Sequence, residues 1–378
     1  MPTIVLHFDF HLPLQLRKFG FFDIGQGRDY FDGEESRAAL GRFAEGFALP
    51  AAAMMLRLIR RHRGRFRVSL SVSGMLLEQL EKGQKPLLES FRRLAATGCA
   101  EFVCGTSHHS LASLFSEAEF RRQIALHRRM IRARLGPAPR AFRNTAGICD
   151  GAVVSIARSM GFRVILAGGA HDGEAGAPGG PWGDGTLTVL PRHGRLSDDM
   201  MRQEPEAFAR QLAEGFGGDE VISLVTESGR FGEADPGGPA LMRFLETVPG
   251  LLLRRRSWRF RTPSEAAALC APERTARPFP SGPGREACLA NHLQRDAANT
   301  LFAMEGPIRR SGSRRLLDTW RRLQASDHLD HMSTRGLSEG GSGGTAGAFA
   351  SPYDAYIHTM NILKDFSCRI EGGSGVRP

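Results

Sequence analysis

The chain alternates short apolar runs with longer amphipathic segments. Between the runs, apolar positions recur every three or four residues, as in Leu87, Phe91 and Leu94, which is the period of an α-helix. Strands that alternate with helices predict parallel β/α units, and seven such units can close into a barrel. The seven runs with the length and composition of strands are residues 3–10, 66–73, 100–103, 141–143, 163–167, 186–190 and 220–225.

The second part of the chain has a different pattern. Residues 271–284 hold several prolines and are typical of a linker, and three helical segments follow at 286–304, 309–324 and 353–368. We therefore predict an α/β protein with a seven-stranded (β/α) barrel and a C-terminal helical region packed on it. The predicted bounds are 1–270 for the barrel, 285–370 for the helical region and 371–378 for a disordered tail.

Composition and charge limit the classes of partner. The formal net charge is +10, but the densest basic cluster, residues 254–261, contains only Trp258 and Phe260 as aromatics, and no nucleic-acid motif accompanies it. No apolar run is long enough to span a bilayer, and the first ten residues do not look like a signal peptide. The six cysteines lack metal-type spacing. We predict a cytoplasmic protein with no nucleic-acid or membrane partner.

Polar residues lie on one face of the first predicted strand, at its carboxyl end. His7, Asp9 and His11 alternate with Phe8 and Phe10, so the three polar side chains point together. In a parallel barrel the ligand site lies at the carboxyl ends of the strands, where these residues stand. The set could bind a metal ion or form a hydrogen-bonded interior network, and spacing alone leaves both open.

Other strand ends also carry polar residues. Arg143 and Asn144 close the fourth strand, and His109 follows the third, where sugar hydroxyls could be bound. Glu227 follows the last strand, as either a general acid or a solvated loop residue.

A polar run lies in the helical region at residues 326–331. Asp327 and His328 belong to this run, which is either a solvated helix end or a segment that reaches over the mouth of the barrel.

Taken in order, these segments resemble the α-amylase branch of glycoside hydrolase family 57. The resemblance is collinear over nearly the whole chain. Its anchors include HLP at 11–13, LRKFGFFDIG at 16–25, SGM at 73–75, HSL at 109–111, FRNT at 142–145, LSDD at 196–199, FGE at 231–233, QRD at 294–296, WRRLQ at 320–324, SDH at 326–328 and SPYDA at 351–355.

The resemblance implies a fold and an activity. Members of this family have a seven-stranded (β/α) barrel with a helical domain and act on α-glucans with retention. They use a Glu nucleophile and an Asp acid/base and need no metal or cofactor. An α-glucan or maltooligosaccharide is therefore the implied ligand, and the metal interpretation of His7, Asp9 and His11 loses weight.

The departures from the family lie at strand ends. Ala146 stands where the family has its nucleophile, and Glu227 stands at the acid/base position. Gly105 replaces a Glu that the family places before its Tyr-Tyr-His-Ser tract. Because the scaffold motifs are retained, the pattern indicates a fold that is kept and a chemistry that is not.

We expect a glucan-binding relative with impaired catalysis, since Ala146 cannot attack an anomeric carbon. Two alternatives stay open. One is an active carbohydrate hydrolase or deacetylase that uses Glu227 with Asp9, or a metal-activated water. The other is a non-enzymatic scaffold or regulatory partner. Sugar hydroxyls would be bound by His11, His109, Arg143, Asn144, Asp327 and His328, and an apolar platform would come from Phe22, Tyr30 or Phe31.

Overall fold

The structure is a computed structural model that describes residues 1–168, 181–183, 185–227, 237–270, 288–334 and 349–373. These residues form two compact units. Unit 1 comprises residues 1–12, 39–107 and 121–284, and unit 2 comprises residues 13–38, 108–120 and 285–378. The predicted linker lies outside the described residues.

The strands of the described chain all lie in unit 1. Its central strand is buried on both faces because it is apolar at successive positions, which is typical of a parallel strand covered on both sides. The strands are β1 (Thr3–Phe10), β2 (Val68–Val72), β3 (Ala100–Val103), β4 (Ala141–Phe142), β5 (Val164–Ala167), β6 (Trp182–Gly183), β7 (Thr188–Pro191), β8 (Val221–Glu227) and β9 (Arg259–Phe260).

The strands form two sheets. The first has the order β3-β2-β1-β8, with β9 also paired to β1, and all of its pairs are parallel. The second has the order β4-β5-β7-β6, in which β6 is antiparallel to β7. Single parallel bridges, Cys104 with Phe142 and Arg192 with Ser223, link β3 to β4 and β7 to β8. The described strands thus form no continuous closed ladder.

All seven predicted strands are present, with ends that differ from the prediction by at most two residues. Apolar side chains from six of these strands, including Val5, Val103, Leu166 and Leu190, share one buried core. The two further strands, β6 and β9, were missed because two residues are too few to show a period.

Helices connect the strands of unit 1. Several begin at the polar caps that their sequences provide: the hydroxyl of Ser73 and the carboxylate of Asp150 accept backbone N–H groups at helix starts. The helices are α1 (Gly33–Phe43), α2 (Leu49–Arg61), α3 (Gly74–Gly83), α4 (Lys85–Ala96), α5 (Glu117–Leu135), α6 (Gly151–Ser159), α7 (Gly194–Arg202), α8 (Pro205–Gly215), α9 (Gly237–Arg254) and α10 (Pro263–Ala268).

The described C-terminal part of unit 2, residues 288–334 and 349–373, is mainly helical, as predicted. The predicted helix 309–324 is in fact two helices, because Gly312 takes a left-handed conformation (φ 65°) and Ser313 caps the next helix. The helices are α11 (His292–Ala303), α12 (Glu305–Ser311), α13 (Arg314–Leu323), α14 (Ser326–Asp330) and α15 (Pro352–Gly373).

Two predicted boundaries differ from the structure. Residues 13–38 and 108–120, which we placed in the barrel, group with the C-terminal helices. Hydrogen bonds explain this grouping, since the Tyr30 hydroxyl donates to Asp365 and the Ser110 hydroxyl donates to Gln324. The last helix continues to Gly373, into the segment predicted to be a tail, and residues 374–378 lie outside the described residues.

No helix in the described ranges combines the length and the apolar character that a membrane-spanning segment needs.

Candidate functional site

A ladder of histidine and serine side chains joins the carboxyl halves of β1 and β2 in unit 1. The buried ring of His7 contacts two hydroxyls, with Nδ1 3.0 Å from Ser69 Oγ and Nε2 3.2 Å from Ser71 Oγ. Burial, and secondarily the charge of Arg143, hold the pKa of His7 well below its usual value. The ring is therefore neutral, with one nitrogen donating and the other accepting.

The ladder continues to the end of the strands. His11 Nδ1 lies 2.7 Å from Ser73 Oγ, and the Asp9 carboxylate lies 3.6 Å from the Nε of buried Arg143. Both ring nitrogens of His7 are occupied by hydroxyls, so the geometry favours the hydrogen-bonded network over a metal bound by His7, Asp9 and His11. The signal for this ladder in the sequence is the alternation of Ser69, Ser71 and Ser73, which puts three hydroxyls on one face of the second strand.

The turn after β4 presents Ala146. Asn144 starts the turn, is buried, and accepts the backbone N–H of Thr145 at 2.9 Å through its own Oδ1. Ala146 follows in a left-handed conformation (φ 55°, ψ 14°) and is exposed. A left-handed alanine is costly and such residues concentrate at functional sites, so the turn keeps a special backbone although its side chain is a methyl group.

Close backbone contacts fix this turn. Gly147 has no side chain, and a Cβ there would lie 2.6 Å from the Cα of Gly168, whose N–H donates to the Gly147 carbonyl at 2.7 Å. A Cβ at Gly105 would lie 2.9 Å from the carbonyl oxygen of Arg143. The strand end at Gly105 therefore lies close against Arg143, and a side chain at position 105 would require a backbone shift.

The ring of His127 forms hydrogen bonds with backbone groups at the ends of β2 and β3. Its Nδ1 accepts the Gly105 N–H at 2.9 Å and its Nε2 lies 2.8 Å from the Val72 carbonyl, which identifies the neutral tautomer with a proton on Nε2. Burial lowers the pKa of this ring. The sequence showed His127 only as one position in the apolar stripe of a helix, so its contact with two strand ends was not predicted.

Glu227 ends β8 beside the same ladder. The register pairs Glu227 with Asp9 across β8 and β1, and pairs Asp9 with Ser71 across β1 and β2. The backbone of Glu227 thus neighbours that of Asp9 at the carboxyl edge of the sheet, while its side chain lies outside the described part of the structure.

Unit 2 has a polar cluster of its own. His109, in left-handed backbone (φ 52°), places Nδ1 3.0 Å from Ser326 Oγ and 3.4 Å from an Asp327 carboxylate oxygen. Backbone pairing explains this proximity, because Ser110 bridges Ala325 and the Ser326 N–H donates to the His109 carbonyl. The side chains of His109 and Asp327 are partly exposed, so they can meet a ligand.

His328 lies next to this cluster in sequence but is buried. Its Nε2 is 3.1 Å from the Leu14 carbonyl and its Nδ1 is 3.4 Å from the Leu323 carbonyl. Burial lowers its pKa, so the neutral ring donates through Nε2 to Leu14. Its described contacts hold segments of unit 2 together.

The predicted site residues therefore fall into two sets. His11, Arg143, Asn144 and Ala146 lie at the strand ends of unit 1. Unit 2 brings together His109 and Asp327, and His328 is next to Asp327 in the chain. Of these, Ala146, His109 and Asp327 have exposed or partly exposed side chains, whereas the rest are buried.

Comparison with known proteins identifies the chain. The sequence profile of Glycosyl hydrolase family 57 matches residues 5–277. A protein of Methanocaldococcus jannaschii with the provisional name alpha-amylase is 27% identical over 409 aligned positions, covering 97% of this chain and 85% of the relative.

Solved structures share the α/β fold with its C-terminal helices. A 4-α-glucanotransferase of Thermococcus litoralis has a TM-score of 0.69 at 15% identity, covering 96% of this chain and only 59% of that chain. A family 57 branching enzyme of Thermococcus kodakaraensis has a TM-score of 0.67 at 15% identity, with 95% and 88% covered. An α-amylase of Thermotoga maritima has a TM-score of 0.61 at 14% identity, with 98% and 94% covered.

At such identities these structures support the fold alone. The profile match, however, extends over more than half of the sequence. The chain belongs to glycosyl hydrolase family 57.

Proposed function

We propose that this family 57 protein binds α-glucans and is impaired in their hydrolysis, because a methyl group stands at the nucleophile position. The observation that carries the proposal is the turn at Asn144–Gly147. It holds an exposed residue in strained left-handed backbone at the end of β4, and that residue is Ala146.

A retaining glycosidase needs two carboxyl groups roughly 5–5.5 Å apart, one of them a nucleophile. In unit 1 the described carboxylate at these strand ends is Asp9, and Arg143 holds it from 3.6 Å. An aspartate paired with a buried guanidinium is a poorer nucleophile than a carboxylate aimed at the sugar. We propose that Asp9 pairs with Arg143 and helps to position its guanidinium group. We propose that Glu227 stands at the position of the former acid/base residue.

The bridges between the two sheets support a second part of the proposal, which concerns the barrel and its sugar site. Parallel bridges at Cys104–Phe142 and Arg192–Ser223 lie where β3 meets β4 and where β7 meets β8. We propose that the two sheets are the halves of one distorted seven-stranded barrel, whose sugar site lies at the carboxyl ends of the strands. His11, Arg143 and Asn144 belong to that site in this proposal. His109, Asp327 and His328 form a separate proposed sugar-binding set within unit 2.

The alternative of a metal-activated water receives less support. The Nδ1 and Nε2 atoms of His7 each contact a serine hydroxyl, so His7 would have to give up both contacts to become a ligand. A non-enzymatic scaffold role has no observation in its favour among the described residues.

The proposal is tested by measuring binding and turnover on one preparation. Titration calorimetry with maltoheptaose should show saturable binding, and chromatography of the same mixture should show hydrolysis several orders of magnitude below the roughly 1–10³ s⁻¹ of ordinary enzymes. Asp327→Asn should weaken binding, whereas the surface variant Glu89→Gln should not. Ordinary turnover by the wild type would overturn the impairment, and no binding would overturn the glucan ligand.

A further inference from the structure

Two phenylalanine rings of unit 2 are exposed side by side. Phe21 is 71% exposed and Phe22 is 89% exposed, the highest values among the large apolar side chains of the described residues. Their ring centroids are 5.7 Å apart and the rings are nearly perpendicular, at 81°. Leaving two such side chains in water costs about 1.5–3 kcal/mol each relative to burying them, so their exposure calls for an explanation.

The rings stand at the tip of a closed loop, residues 15–32, which we call the FF loop. Its ends pair through an antiparallel bridge between Leu16 and Phe31 and a hydrogen bond from the Asp32 N–H to the Gln15 carbonyl. Surface loops that a rigid scaffold positions often carry binding residues.

A buried carboxylate holds the FF loop in place. Asp365, on α15, accepts the Gly25 N–H at 2.6 Å, the Tyr30 hydroxyl at 2.6 Å and the Nε of Arg369 at 2.7 Å. Arg369 also donates to the Arg28 carbonyl and stacks over the Tyr30 ring. The tip is thus preorganised, and a ligand that meets it would not have to order the loop.

The tip itself is equally well fixed. The Gly20 N–H donates to Asp23 Oδ2 at 2.8 Å, the Ile24 N–H donates to the Phe21 carbonyl, and Arg28 pairs with Asp23 at 2.6 Å. These bonds keep Phe21 and Phe22 outward, and they place a charged pair beside the rings.

The size and charge of the patch formed by Phe21 and Phe22 indicate which kind of ligand it can bind. Two side chains cannot supply the roughly 800 Å² per partner of a stable protein interface, which argues against a second copy of the chain. The charges of the FF loop balance, with Arg17, Lys18 and Arg28 against Asp23, Asp29 and Asp32, so the loop has no net positive charge to attract an anionic membrane surface. Two rings match one or two sugar units, whose C–H faces are apolar and whose hydroxyls need nearby polar groups.

We propose that the FF loop is a second carbohydrate-binding site of this chain, which stacks successive glucose units of an α-glucan on Phe21 and Phe22. The near-perpendicular rings fit a chain that turns between residues, as α-1,4-glucan does, and not a flat β-1,4 chain. This inference rests on the proposed function for its choice of ligand, but it concerns side chains that the strand ends do not include.

The test places a reporter in the tip. Phe22→Trp adds an exposed indole, and the difference between its emission and that of the wild type isolates residue 22 from the three native tryptophans. Adding maltoheptaose should shift this emission saturably, and adding cellopentaose should not. Phe21→Ala/Phe22→Ala should weaken the calorimetric affinity for maltoheptaose at least about tenfold. Leu269→Ala, which removes an exposed apolar side chain of unit 1, should leave the affinity unchanged.

The outcomes separate this site from the cluster of His109 and Asp327. A shift of the indole emission in Phe22→Trp that persists when Asp327→Asn is added supports the FF loop site, whether or not that cluster binds glucan. An unchanged emission, together with wild-type affinity in the double alanine variant, overturns the FF loop site and leaves the proposed function standing. Because both rings are exposed, the Phe21 and Phe22 variants should unfold at the wild-type temperature, which excludes misfolding as the cause of their lost affinity.

Discussion

Two adjacent residues in the turn after β4 hold left-handed backbone, and the surroundings of the two differ. Ala146 (φ 55°) is exposed, and only its own methyl group opposes the conformation. Gly147 (φ 69°) lies against Gly168, so a side chain there meets backbone atoms as well. The turn is therefore fixed by Gly147 and its neighbours, and residue 146 is free to carry whatever side chain function requires.

This difference predicts unequal costs for two glycine-to-alanine changes. Gly161 has a similar positive φ of 81° but open space around its Cα. Gly161→Ala should lower the free energy of unfolding by about 1 kcal/mol, the cost of left-handed alanine. Gly147→Ala should lower it by at least about 2 kcal/mol more, since overlap with Gly168 is added. Urea unfolding measures both, and equal losses would show that the contact with Gly168 is unimportant.

At the scale of elements, a buried ion cluster joins the start of α5 to the C-terminal helices within unit 2. The carboxylate of fully buried Glu119 accepts from Arg309 at 2.6 Å and from Arg321 at 2.7 Å, and the Ser116 hydroxyl caps the same helix turn. Ser116 and Glu119 are three residues apart, which is the spacing of a capping box, so the sequence contains the signal for this cap. It did not predict the arginines, because they are about 190 and 202 positions away in the chain.

Removing the negative charge of Glu119 from this cluster should destabilise the protein. Glu119→Gln leaves two guanidinium groups without their buried counter-charge, and about 3 kcal/mol of unfolding free energy should be lost. Glu89→Gln is the matched control, because Glu89 pairs with Arg92 and Arg93 at the surface and its loss should cost less than about 0.5 kcal/mol. Similar unfolding midpoints for the two variants would contradict the role given to Glu119.

Helices and strands could be predicted from the sequence where the local pattern of apolar and polar residues determines them. The apolar run ending in Phe8 and Phe10 was enough to locate β1, and the alternation of polar residues identified the face of His7 and Asp9. The break at Gly312 was missed, because the arginine-rich pattern on either side continues with helical period. The close approach of Gly105 to Arg143 and the hydrogen bonds of His127 depend on contacts between distant segments, which no local pattern encodes.

At the scale of the whole molecule, buried neutral histidines make stability depend on pH. Burial lowers the pKa values of His7, His127 and His328 below the 6.5 of the unfolded chain. Below pH 6.5 the unfolded chain therefore takes up protons that the folded chain does not, and stability falls as the pH falls.

Each of these histidines contributes a slope of up to about 1.4 kcal/mol per pH unit in that window, and the three together about 4. Urea unfolding at intervals between pH 7.5 and 5.5 should show a flat region above pH 6.5 and a decline below it. His127→Gln should reduce the slope by about one histidine's share, whatever its effect on stability at pH 7.5. A flat profile across the whole range would contradict the neutral buried rings.

Our central proposal is that position 146 faces the reacting carbon of a bound glucan, and that the absence of a carboxylate there is the main cause of impaired hydrolysis. The most direct measurement is the rate of maltoheptaose hydrolysis by Ala146→Glu and by Ala146→Gln, both in a Glu227→Asp background. Ala146→Gln is isosteric with the glutamate but cannot form a glycosyl ester. We expect Ala146→Glu to hydrolyse maltoheptaose at least about 100-fold faster than Ala146→Gln or the Glu227→Asp variant alone. Equal rates in the two variants, or ordinary turnover by the wild-type chain, would contradict it.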